Sequence, residues 1–546
     1  MKRNREKKPK PPRLDVSMEE LSGIVEQTKS ALSEGAHEKL SIAIRTLGLL
    51  VDELRSKKSS IYRLQQMLFG ATTEKTNAVL GDKEKEKQEA KESTEGDDAA
   101  KTEKPKCPGH GRRSIAAYTG AEVIKVGHTT LHHGCSCPAC QLGRLYLQSE
   151  PGKLIRIVGM SPLCATIWEL ERLRCNLCGK VFTAKAPDGV GDRKYDESAT
   201  AMVGMMKYAG GVPFHRLEKL QEKMGIPLPA ATQWELVRDG ADDIEPVFRE
   251  LIHQAAQGEV LHNDDTTMKV LGLTAELREA AAADSETENR KGIYTTGIIS
   301  KCKEGNIALF FTGNRHAGEN LATVLNKRAA ELSVPIQMCD GLAANMSGEF
   351  KSILANCNAH ARRKFVEVVA DFPDECRYVL KTFSSVYKFD AEAKQQKLSA
   401  DDRLIYHQTH SEPLMVELQD WAERQLDEHL VEPNSQLGDA IRYLLNHWDP
   451  LMLFLRKPGA PLDNNICERA LKKAILHLKN SLFYQTVNGA RVGDIFMSLF
   501  YTADLNGVNS FDYLVTLLRR YKEVKEDPKN WMPWNYTATL ARMGVS

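Results

Sequence analysis

The sequence predicts a multidomain α/β protein built around a mixed β-sheet, and three observations carry that reading. At 546 residues the chain exceeds what one hydrophobic core organises. Four strand-like runs fall in its middle: VLHNDDTTMKVL (260–271), GIYTTGIIS (292–300), NIALFFTG (306–313) and VPIQMCDG (334–341), with helix-compatible AGENLATVLNKRA (317–329) before the last. Helical periodicity dominates on both sides of them. Three consecutive strands, a helix and a fourth strand predict a sheet whose first and fourth strands lie side by side.

The elements before the sheet follow in order. From Leu40 an apolar residue returns every seventh position, at Leu47, Leu54, Ile61 and Leu68, with Ala43, Leu50 and Leu64 as a second seam interrupted by Lys57. Residues 14–75 therefore read as a coiled-coil helix, whose naked apolar stripe predicts a homo-oligomer. The charged run EKEKQEAKESTEGDDAAKTEKPK, at the end of 76–106, buries too little surface to offset its ordering and reads as a flexible linker.

Residues 107–190 contain two knuckles, Cys137-x2-Cys140 and Cys175-x2-Cys178. Two tight turns that each present a pair of thiolates predict a structural four-cysteine zinc ribbon, with Cys135 competing for one ligand position. Such a site organises a small ribbon and performs no chemistry. Residues 195–250 turn helical. PFHRLEKLQEKMG aligns Leu217, Leu220 and Met224 on one face before Gly225, and a second helix carries Trp234 and Val237. This is compatible with a DNA-reading helix-turn-helix and equally with any helical hairpin.

Net charge is only +1, but the opening MKRNREKKPKPPR is almost purely basic, and further basic clusters lie at Arg362, Arg363 and Lys364 and at Arg469, Lys472 and Lys473. The pattern points to nucleic acid. With no apolar run near the ~18 residues of a membrane span and no leader pattern, the expected location is the cytoplasm. There the twelve cysteines stay reduced, which favours metal ligation over disulfides.

The remaining chain divides into 255–373 and 459–520, two parts of the sheet-containing core, with a helical insertion at 374–458 and a C-terminal tail at 521–546. Asp264 ends the apolar part of the first strand and Asp340 closes the fourth, so both acids reach one end of adjacent strands, where ligands gather in α/β sheets. Glu468 lies in LDNNICERALKKAILHLKN, where Ile466, Ala470, Leu471, Ala474, Ile475 and Leu478 trace a buried stripe and Glu468, Lys472 and Lys479 share another face. A carboxylate followed by lysines suits a metal site that also holds a phosphodiester backbone. The competing reading is a capping box from Asn465 to Glu468. Three oxygen donors suit Mg2+ or Mn2+.

The blocks HNDDT (262–266), DG (340–341), NAHARRKF (358–365), LDNNICERALKKAI (462–475) and LFYTADLNGVNSFDYL (499–514) resemble signature segments of the insertion-sequence 66 family of bacterial transposases. LFGATTEKT (68–76) resembles its N-terminal phrase, and the cysteine knuckles resemble its zinc segment. The resemblance implies an RNase H-like core and metal-dependent cleavage and joining of DNA by a DDE triad, mapped onto Asp264, Asp340 and Glu468. It also implies DNA partners, namely terminal inverted repeats and target DNA, and accessory proteins of the same element. Arg362, Arg363, Arg469, Lys472 and Lys479 are the expected phosphate contacts, and His360 an expected support of the active site. The chain departs from the family in Asp265, where glutamate is usual, and in Asn358, where an aromatic is usual. Alternatives from other classes are an RNase H-like nuclease without strand transfer and a zinc-ribbon DNA-binding regulator without catalysis.

Overall fold

The computed structural model describes residues 193–276, 292–348 and 350–544, with 160–174, 181–188, most of 130–145, Thr76–Val79, Val25, Gln27, His37 and Leu40. The heptad positions beyond Leu40, the charged linker from 84 onward, and Cys137, Cys175 and Cys178 lie outside the described residues. So the coiled coil, the linker and the zinc ribbon stand as sequence readings.

The described residues form two compact units, one drawn from 91–357 and 463–544, the other from 358–462 with the residues before 90. The first contains a two-stranded antiparallel hairpin, β1 (Arg172–Arg174) and β2 (Val181–Thr183), and then helices α1 (Glu197–Gly204), α2 (Phe214–Lys223) and α3 (Ala230–Ala255). Its centre is a five-stranded mixed sheet of β3 (Val260–Thr267), β4 (Tyr294–Lys301), β5 (Asn306–Gly313), β6 (Ile336–Cys339) and β7 (Ile353–Asn356). Helix α4 (Ala317–Leu325) precedes β6, and α5 (Asn465–Ser481), α6 (Val487–Leu505) and α7 (Ser510–Arg519) follow.

Strand order is β5-β4-β3-β6-β7. β3–β4 and β4–β5 pair antiparallel, β3–β6 and β6–β7 parallel. The expected contact of the first and fourth strands is present, in register Val260↔Ile336 and His262↔Met338. This arrangement is a mixed sheet consistent with an RNase H-like core. The fifth strand was not read from the sequence: Ile353–Asn356 is only four residues and ends in asparagine, too short for a period-2 signal.

One hydrophobic core includes Val237, Ala241, Ile244 and Leu251 of α3, Ile298 of β4, Phe310 of β5 and Phe496 of α6. The helices of 197–255 thus share the core of the sheet. The predicted apolar face of α2 is corrected. Leu217 is buried, but Leu220 and Met224 are exposed, and Gln221 faces inward instead. Its amide accepts from Ser161 Oγ at 2.8 Å and donates to the Leu163 carbonyl at 3.1 Å. That face of α2 meets a stretch of irregular chain with polar groups to satisfy, so an amide fits where a leucine does not.

Strand β5 ends the sheet, and α6 lies along its open side. Four α6 side chains at fourfold spacing accept from alternate backbone N–H groups of the strand. Asp494 takes Thr312 N at 2.7 Å, Ser498 takes Phe310 N at 2.9 Å, Thr502 takes Ala308 N at 3.0 Å and Asn506 takes Asn306 N at 3.1 Å. Thr502 and Asn506 also donate back to the Ala308 and Asn306 carbonyls. The match works because four helical residues rise about 6 Å and two strand residues about 6.6 Å.

The second unit is helical: Asn358–Val368, Pro373–Gln395, Ala400–His410, Glu412–Asp427 and Gln436–Asn446. Within it Asp390 is buried on the helix Pro373–Gln395.

Candidate active site

Asp264 and Asp340 come from neighbouring parallel strands. Carrying the β3–β6 register two residues beyond His262↔Met338 sets 264 opposite 340, with strand axes about 4.8 Å apart. Both acids therefore leave the sheet at the same level and on the same face. Asp340 follows directly on β6 and is nearly buried.

Glu468 reaches this place on the first turn of α5, which packs on β3 and β4. The residue opposite Asp264 on β4 is Gly297. A Cβ there would lie 3.0 Å from Leu471 Cδ2 and 3.4 Å from Cys467 Sγ, and the Cys467 thiol donates to the Gly297 carbonyl at 3.2 Å. Gly297 lets the glutamate's helix settle onto the strand that carries Asp264. A glycine inside an otherwise good strand was the available signal for such an approach.

The buried face of α5 is Cys467, Ala470, Leu471, Ala474 and His477, while Ile466, Ile475 and Leu478 are half-buried. The predicted stripe is thus rotated toward a cysteine and a histidine, residues that an apolar pattern skips. His477 stacks on Tyr484 at 4.2 Å, and burial and then Lys207 push its pKa down to about 3, so it is neutral. Glu468 is half-buried, and Arg469, Lys472 and Lys479 are exposed on the same helix.

The capping-box alternative has no counterpart in the geometry. The helix starts at Asn465, its N-cap is Asn464, whose side chain makes no cap bond, and the first amide, that of Asn465, is taken by Asp463 Oδ1 at 3.1 Å. Asn464 turns its amide inward instead, donating to the Asn263 carbonyl at 3.0 Å and accepting from His262 Nδ1 at 3.1 Å.

The two adjacent acids on β3 part company. Asp265 accepts from Thr296 Oγ1 at 2.6 Å, from the Ala317 amide at 2.8 Å and from His316 Nδ1 at 3.2 Å. It is engaged at the N-terminus of α4, where a helix favours negative charge. Among the described residues Asp264 has one such partner, the Asp265 amide at 2.8 Å. Burial, opposed by that amide and reinforced by the charges of Asp340, Glu468 and Asp265, pushes the Asp264 pKa up to about 7. The acids of β6 and α5 are therefore close enough to act on the Asp264 carboxylate. An all-oxygen donor set fits a hard divalent cation such as Mg2+ or Mn2+.

The other expected site residues are distributed as follows. His360, Arg362 and Arg363 lie on the helix Asn358–Val368 of the second unit. His360 and Arg363 are half-buried. Arg362 is buried, with its guanidinium 3.5 Å from Thr76 Oγ1. Of the four expected zinc ligands Cys140 is described, as an exposed thiol. No described helix is long and apolar enough to cross a membrane.

Residues 193–492 match the family described as Transposase IS66 family, more than half of the chain. Similar curated proteins come from Sinorhizobium fredii (strain NBRC 101917 / NGR234). Uncharacterized protein y4jD is 35% identical over 190 residues, 34% of this chain and 36% of that protein. Uncharacterized protein y4hP is 24% identical over 375 residues, 64% of each chain. Uncharacterized protein y4qI is 24% identical over 352 residues, 62% of each. The chain therefore spans from about a third to just under two thirds of the length of these relatives.

Proposed function

We propose, from the premise that this chain belongs to the transposase IS66 family, that it cuts and joins DNA at the ends of a mobile element with Asp264, Asp340 and Glu468 as its catalytic carboxylates. The observation that carries the reading is the convergence of three acids from β3, the end of β6 and α5, with Asp264 held protonated up to about pH 7 by burial and by the other two. A divalent ion bound there would activate the attacking oxygen and stabilise the leaving one. The chain's own part is to hold the three carboxylates at fixed places on rigid elements and to bring the phosphodiester to them. Arg469, Lys472 and Lys479, exposed along α5 beyond Glu468, are suited to the DNA backbone, whose contacts are electrostatic and independent of sequence. Cleavage uses water as nucleophile and joining uses a DNA 3′-hydroxyl, so one centre serves both steps.

The supporting parts are proposals of the same kind. Cys137, Cys140, Cys175 and Cys178 hold a structural zinc, and the N-terminal heptads join copies of the chain. Terminal inverted repeats and target DNA are the substrates, and accessory proteins of the element are partners.

The test is a Mg2+-dependent cleavage assay on the element's own ends, beside a binding assay at fixed salt. Asp264→Asn, Asp340→Asn and Glu468→Gln should each lower cleavage by at least about a thousandfold, on the scale of catalytic electrostatic groups, while binding stays within severalfold. Asp265→Asn should be milder. Full cleavage by Glu468→Gln would overturn the triad.

A further inference from the structure

Three buried asparagines connect the acids. Asp340 Oδ1 accepts from the Leu342 amide at 3.2 Å and from Asn345 Nδ2 at 2.5 Å. Asn345 closes the 3-10 turn Ala343–Asn345, and its carbonyl accepts from Asn263 Nδ2 at 2.8 Å and from Gln337 Nε2 at 2.7 Å. Gln337 also donates to Asn263 Oδ1 at 3.0 Å. Asn263 immediately precedes Asp264, and its carbonyl receives the amide of Asn464. Asn464 in turn starts the helix of Glu468. The path from Asp340 through Asn345, Asn263 and Asn464 thus crosses β6, β3 and α5, and none of these asparagines is more than 2% exposed.

Two features separate this chain of amides from ordinary core satisfaction. An asparagine at an N-cap normally bonds back to its own helix, a contact worth roughly 1 kcal/mol. Asn464 forgoes that bond for β3. The turn of Asn345 is also braced from outside: a Cβ on Gly318 would stand 1.9 Å from the Met346 carbonyl, so α4, whose N-terminus Asp265 holds, packs directly on this turn.

The bonds also select oxygens. Oδ1 of Asp264 is engaged by the Asp265 amide and Oδ1 of Asp340 by two donors, whereas neither Oδ2 has a donor among the described residues. We infer that Asn345 and Asn464 are positioning residues of the cation centre: Asn345 pins Asp340 so that it offers Oδ2 alone, and Asn464 sets Glu468 against β3. The inference rests on the carboxylate-centre reading above. Hydrogen-bonded partners of metal ligands typically control affinity by about 10–100-fold.

The experiment measures Mn2+ binding to the full chain, without DNA, from the electron paramagnetic resonance signal of free Mn2+, with Mg2+ as competitor. Asn345→Ala and Asn464→Ala should each weaken Mn2+ by about tenfold. Asn345→Ser, which restores a donor, should recover part of the loss. Unchanged affinity in both alanine variants, beside its loss in Asp264→Asn, would overturn the positioning role and leave the carboxylate centre standing. Unchanged affinity in Asp264→Asn would overturn the centre and this inference with it. If Asn464→Ala does not fold, Asn464→Ser and the Asn345 variants decide the matter by the same criterion.

Discussion

Asp264, half-buried, and Asp390, buried, lie one in each unit, and their surroundings are opposite. Asp390, 3% exposed on the helix Pro373–Gln395, receives Arg403 through Nε at 2.9 Å and Nη2 at 2.7 Å, Lys394 at 2.6 Å and His407 Nε2 at 3.4 Å. Burial alone would raise its pKa, but the bonds from His407 and Lys394 and the bonds and charge of Arg403 hold it well below the ordinary carboxylate range. Around Asp264 the charged neighbours that shift its pKa are acids. The helical unit thus surrounds its buried acid with cations of its own, whereas the charged groups that act on Asp264 in the sheet unit are acids.

Variants break this comparison in a graded way. The largest effect on stability belongs to Asp390→Ala, which strands Arg403 and His407 in the interior and should cost about 3–5 kcal/mol in denaturant unfolding. A cost under about 1 kcal/mol, the value of a surface pair, would make Asp390 a surface-like ion pair. Because its pKa is depressed, the stability it supplies is present at neutral pH and above. That contribution is lost as pH falls through and below about 4, so the parent and Asp390→Asn should converge in acid.

Asp264 should behave in the reverse sense. Its raised pKa means that, without divalent ion, folding is favoured most below about pH 4 and weakens as pH rises toward about 7. Asp264→Asn should therefore stabilise the metal-free protein at pH 8, by about 1–3 kcal/mol. Mg2+ should raise the melting temperature of the parent and not of the variant. A variant less stable than the parent at pH 8 would contradict the assignment.

A smaller effect follows from Gly297→Ala. The added methyl presses on Leu471 and Cys467 and should cost about 1–2 kcal/mol, with a loss of Mn2+ affinity as Glu468 is displaced. Tight Mn2+ binding in this variant would mean that α5 yields without moving its glutamate.

The sequence carried four strands of the sheet and the helix of α5, because alternation and helical spacing are local signals. β3 to β6, the adjacency of β3 and β6 and the helical nature of α5 all appear where they were expected, and the structure adds that β3 and β6 run parallel. What it did not carry depends on tertiary partners. Gln221 faces inward because its neighbour is irregular chain. Cys467 and His477 complete a buried face that their polarity disguises. Asn345 and Asn464 acquire meaning only when β6, β3 and α5 are brought together. That Asp265 is bonded to Thr296, His316 and the Ala317 amide was likewise not legible, because those partners lie 31 to 52 residues away in the chain.

The row of Asp494, Ser498, Thr502 and Asn506 along β5 has a further consequence. A terminal strand with bare amides is a template on which another polypeptide can add a strand, the usual route to sheet-mediated aggregation and domain exchange. Here alternate amides from Asn306 to Thr312 are already occupied by a helix of the same unit. Strand addition on that flank would require α6, with Phe496 and Phe500 in the core, to leave first, so this edge is closed for as long as the unit stays folded.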